Sequence, residues 1–105
     1  MNILYVGWCR DGTHDKVWGA ISLDDLSVPL RYWNESKFVT FWGRRGKTLQ
    51  TKIQTTSQYK IEKEFEKKLD KGYKKISVEK LHEVYPEFRE DLEKRPFGLS
   101  LKRKE

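Results

Sequence analysis

The run Phe38-Val39-Thr40-Phe41-Trp42 ends in Gly43-Arg44-Arg45-Gly46-Lys47, after which residues 48–55 resume an extended, β-branched pattern. Two such stretches around a short glycine-containing turn read as an antiparallel hairpin. A hairpin alone is at best marginally stable in water, so further strands or a helix must cover at least one of its faces. The turn also gathers an aromatic ring, permissive glycines and cations. Side chains alternate along a strand, so Arg44 and Arg45 face the same way only if the turn has already begun. Gly43 and Gly46 ease such a distortion.

Two further strands precede this hairpin. Residues 3–8 are rich in β-branched and aromatic residues, and residues 16–23 alternate Val17, Gly19 and Ile21 with Trp18, Ala20 and Ser22. Between them lies the turn cluster Asp11-Gly12-Thr13-His14-Asp15. Residues 24–36 are less regular, broken by Pro29 and Asn34, with Leu30, Tyr32 and Trp33 expected to tack them to the core. Ser57 is a plausible N-cap for a helix over 57–69, in which Ile61, Phe65 and Leu69 recur at i, i+4 and i+8 as one apolar stripe. Gly72 sits where a C-terminal cap belongs. Ser77 caps a short helix to Val84, Pro86 opens another over about 86–94, and the tail after Pro96 is basic and frayed. The expected fold class is α+β: a small antiparallel sheet of about four or five strands, one long helix packed on it and short C-terminal helices.

Charge narrows the function classes. Of 105 residues, 36 % are charged and the net charge is +6. Residues 44–75 hold 11 basic and four acidic residues, whereas residues 1–43 hold four and five, and residues 76–105 hold seven of each. The whole positive excess therefore begins at the aromatic–arginine turn, which favours a polyanionic partner. Cys9 is the only cysteine, so no internal disulfide forms and a reducing intracellular location is expected, cytoplasmic or nucleoid/nuclear. Neither a cationic leader with a long apolar run nor a stretch of ~18 apolar residues is read, so neither secretion nor membrane insertion is expected. His14 and His82 are isolated, with no metal-ligand spacing, and no phosphate-cradling loop, nucleophile motif or paired acid–base set is present. No enzyme activity, cofactor or metal is expected.

Trp42-Gly43-Arg44, followed by Gly46 and Gln50, resembles the name-giving motif of the WGR domain family. The opening strand 3–8, the segment Asp15-Lys16-Val17-Trp18, and the helix end Phe65-Glu66-Lys67-Lys68-Leu69-Asp70-Lys71-Gly72-Tyr73 resemble the family in the same order. The resemblance covers about residues 3–75. Such domains occur in DNA-dependent poly(ADP-ribose) polymerases and in short bacterial proteins. The resemblance implies a small antiparallel sheet with a long helix, DNA binding near a strand break, and contacts with neighbouring domains. It assigns packing against a terminal sugar to Trp42, and contacts at the break or between domains to Arg44. The chain departs from the family in Phe41, often basic there, in Arg45, usually hydrophobic, and in Leu49, commonly glycine.

These readings divide the chain into a WGR-like domain over 1–75 and a helical extension with a basic tail over 76–105. The expected function is non-catalytic nucleic-acid binding, to DNA ends, nicks or exposed termini, with RNA a close variant. The candidate residues are Trp42, Gly43, Arg44, Arg45, Lys47, Gln50 and Lys52. Stacking on Trp42 and guanidinium contacts to phosphate supply the chemistry. The alternative is a protein-interaction adaptor or modulator of a larger nucleic-acid enzyme, anchored by Tyr32 and Trp33.

Overall fold

Neighbouring strands pair antiparallel throughout one sheet of order β4-β3-β2-β1-β5 in the computed structural model, which describes residues 2–23 and 33–93. β1 (Asn2–Asp11) turns at Gly12 into β2 (His14–Ser22), and β3 (Glu35–Arg44) pairs with β4 (Gln50–Ser57) as the expected hairpin. Then come α1 (Gln58–Asp70), β5 (Lys74–Lys75), α2 (Val78–Val84) and α3 (Phe88–Glu93). The fold class is α+β, as the sequence patterns indicate. The irregular connection and the basic tail fall largely on residues 24–32 and 94–105, outside the described residues. Trp33, expected to tack the connection to the core, is instead 70 % exposed and meets the Tyr59 ring at 4.7 Å.

Strand alternation gives the sheet two apolar faces. On the first, Trp18, Ala20 and Phe38 meet Ile61 and Phe65 of α1, with Phe65 stacked on Trp18 at 5.7 Å. On the second, Val17, Ile21, Val39 and Phe41 meet Leu81, Tyr85, Phe88 and Leu92. The C-terminal helices thus seal the side of the sheet that α1 leaves bare. Burying such side chains is worth about 1.5–3 kcal/mol each, which makes both layers integral to the core.

The helix boundaries follow from their caps. Ser57 accepts from the Lys60 N–H, and Ser77 accepts from that of Lys80. α1 closes in a Schellman motif: Gly72 N–H donates to Leu69 and Tyr73 N–H to Lys68. This reversal lays residues 74–75 along β1, pairing Gly7 with Lys75 and Trp8 with Lys74. No helix among the described residues is long and apolar enough to cross a membrane.

Candidate nucleic-acid interface

Pairing register decides which candidate residues meet. Trp42 lies opposite Trp18 on β2 and Gln50 on β4; Arg44 lies opposite Lys16, and Thr40 opposite Lys52. Because directly paired residues share a face, Lys16, Trp18, Trp42, Arg44, Gln50 and Lys52 all belong to the α1 side. The helix buries nearly all of Trp18 and leaves Trp42 partly buried at the margin of the same cluster. Between α1 and the hairpin runs a groove of about 230 Å³ lined by Trp18, Thr40, Trp42, Lys52, Gln54, Glu64 and Lys68. A second groove of about 280 Å³ shares Lys68 and adds Lys16, Lys71, His14 and Tyr73 among its walls.

The cations on this face are little engaged. Arg44 is exposed and donates from Nη2 to the Thr13 carbonyl at 2.9 Å, and the Lys16 ammonium lies 6.0 Å from the Tyr73 ring. Among the described residues, Lys16, Arg44, Lys52 and Lys68 form no salt bridge. Glu64 is the carboxylate lining the first groove. An aromatic floor with cations on either side can stack a base or sugar while neutralising the adjoining phosphates.

Arg45 goes elsewhere. Its guanidinium grips Asp15 with Nε at 3.1 and 3.0 Å and Nη2 at 2.7 Å, lies over the Trp8 ring at 5.5 Å, and donates through Nη1 to the Val84 carbonyl. Trp8 Nε1 donates to the same carboxylate at 2.8 Å. Trp8 packs against the second-face core and Val84 ends α2, so Arg45 ties the hairpin to the far side of the sheet. The Arg45 hydrogen bonds, with a smaller contribution from Trp8, hold the Asp15 carboxyl below the usual carboxylate range; Asp15 in turn raises Arg45. Arg45 is not brought to the Trp42 groove.

The remaining candidates divide between shape and surface. Gly43 has φ +146°, and a Cβ there would lie 3.3 Å from Leu49 Cδ2. Leu49 is fully buried and fills the space under Gly43, so this glycine shapes the hairpin. Lys47 is exposed at the tip, where its N–H closes the turn on the Arg44 carbonyl at 3.1 Å. Gln50 is exposed beside Trp42. The turn is anchored from below by Tyr85, whose hydroxyl lies 2.5 Å from Asp91 Oδ2 and 3.4 Å from the Lys47 carbonyl. Burial, reinforced by the Asp91 carboxylate, keeps that phenol protonated well above its ordinary range.

Lys16 and Lys68 join Trp42 although the motif does not include them. The signal for Lys16 was the alternation itself: aligning Trp18 with Trp42 sets Lys16 opposite Arg44. Lys68 follows Phe65 by three residues and so borders the apolar stripe. The chain matches no protein-family model, no curated protein and no solved structure.

Proposed function

We propose that this chain is a non-catalytic, WGR-type nucleic-acid-binding module that takes DNA on the α1 face of its sheet, at ends, nicks or other exposed termini. The observation that carries the reading is the partly buried, groove-lining Trp42 set among Lys16, Arg44, Lys52 and Lys68, four cations without salt-bridge partners among the described residues. Trp42 stacks on an unpaired base or packs on a terminal sugar, and the cations neutralise the flanking phosphates. Intact duplex offers no unstacked surface to the indole, whereas an end or nick does. The compartment that fits is intracellular, cytoplasmic or nucleoid/nuclear.

Fluorescence anisotropy on intact, nicked, blunt-ended and single-stranded DNA over a salt series tests the proposal. Four phosphate contacts on duplex lower affinity by about two orders of magnitude between about 50 and about 200 mM salt. Trp42→Ala removes about 1–3 kcal/mol of stacking on the nicked substrate and changes binding to intact duplex little. Undetectable binding at low salt, or binding insensitive to salt, overturns the reading. An RNA panel of the same lengths decides between the sugars, because only a 2′-hydroxyl contact separates them.

A second reading rests on the exposed Trp33, which meets the partly buried Tyr59 at the start of α1, with Lys63 5.3 Å from the Tyr59 ring. Aromatics of this kind anchor protein interfaces, which fits an adaptor within a nucleic-acid-processing complex. Recovery of a stoichiometric protein partner after nuclease treatment, lost with Trp33→Ala, supports it.

A further inference from the structure

The two ends of the sheet are finished differently. β5 is two residues long and both are lysine, a short charged edge of the kind that discourages pairing. β4 closes the opposite end with eight residues, Gln50-Thr51-Lys52-Ile53-Gln54-Thr55-Thr56-Ser57, and pairs only with β3 among the described residues. It has no proline, one charge, and in Ile53 a large apolar side chain 43 % exposed. An edge of this length offers a row of backbone donors and acceptors to another strand.

We propose that β4 pairs antiparallel with β4 of a second copy of this chain, about a two-fold axis through Ile53. The choice of occupant comes from the self-complementarity of the strand. In this register Ile53 faces its own symmetry mate, and Thr51 faces Thr55 of the second copy. On the other face Lys52 lies opposite Gln54, and Gln50 opposite Thr56. Every pair of one face is thus β-branched with β-branched, and no lysine opposes a lysine. Shifting the axis to Lys52 would set two ammonium groups against each other, which is destabilising. The product is a continuous ten-stranded sheet whose two Trp42–Lys52 grooves lie side by side on one face, joined through Lys52 and Gln54.

Association does not depend on the DNA reading and is measured without nucleic acid, so either proposal can fail alone. Sedimentation velocity from about 10 μM to about 1 mM follows the mass from 12.6 kDa towards twice that value. Ile53→Lys, which sets a charge against its mate on the axis, should raise the concentration needed for dimer at least tenfold, with far-UV circular dichroism unchanged. For the register, Ile53→Cys should be bridged within the dimer by a short bismaleimide, and Gln54→Cys, which faces residue 52, several-fold less; the native Cys9 is buried. A mass of 12.6 kDa at every concentration, or equal bridging of the two cysteine variants, overturns the proposal.

Discussion

Arg44 and Arg45 are neighbours in sequence with different work to do, because one peptide step reverses the face a side chain occupies. Arg44 stays on the α1 face beside Lys16, while Arg45 reaches Asp15 and the Val84 carbonyl on the other. Arg44→Glu is therefore expected to lower DNA affinity at least tenfold with an unchanged melting temperature, the salt slope falling by about one unit for the lost phosphate contact. Arg45→Ala is expected to do the reverse. It removes a charge-assisted, bidentate contact that is partly solvent-screened, costing about 1–2 kcal/mol, or roughly 5–10 °C in Tm. Equal loss of affinity in the two variants would show that both arginines face the ligand.

Asp15 adds a pH dependence at the same scale. Its folded-state pKa lies below its unfolded value of about 3.9, so its contribution is present above about pH 4 and is lost as pH falls through the folded value. Melting temperatures of the parent and Asp15→Asn between about pH 2 and pH 7 should show a shallower acid decline in the variant. Parallel curves would remove Asp15 from the acid response.

At the scale of elements, much was legible because the signals are local. Alternation gave four strands, Ser57 and Ser77 gave two helix starts, and Gly46 marked the hairpin turn. Trp42, Arg44, Gln50 and Lys52 were picked out by the turn and its motif together with Gly43, Arg45 and Lys47, and it took the pairing register to sort them by face. What escaped depends on contacts distant in sequence. Arg45 is claimed by a carboxylate 30 residues away, and β5 exists because a Schellman reversal delivers two lysines to the edge of β1. Residues 78–93 read as short helices, but nothing local says that Leu81, Tyr85, Phe88 and Leu92 roof the second face of the sheet.

Two substitutions test how the hairpin is built. Gly43→Ala forces an L-residue to φ +146° and pushes its Cβ towards Leu49, at a cost of about 1–3 kcal/mol in thermal unfolding. Gly19→Ala is expected to be worse. Its Cβ would lie 2.2 Å from Phe41 Cζ and 2.8 Å from the Tyr5 carbonyl, and the backbone oxygen cannot rotate away. Parent-like melting of Gly19→Ala would mean that β1, β2 and β3 are spaced more widely than described.

For the whole molecule, the two helical layers play separate parts. α2 and α3 seal the second face and, through Tyr85 and Asp91, brace the arginine turn from beneath. α1 seals only part of the first face and leaves the Trp42 groove open. A chain ending at Lys75 should lose cooperative thermal unfolding, since Phe41, Val39 and Ile21 would face water. A sharp, parent-like transition would make residues 76–93 dispensable.

Whether nucleic acid lies on the open face is tested most directly by titrating isotope-labelled protein with a short nicked duplex and following its amide and indole NMR signals. The Trp42 indole N–H and the amides of residues 16–18, 40–44 and 50–54 should shift together, while those of α2 and α3 stay near their free positions. Shifts gathered on α2 and α3, or none at near-stoichiometric DNA in low salt, would place the ligand elsewhere or exclude it.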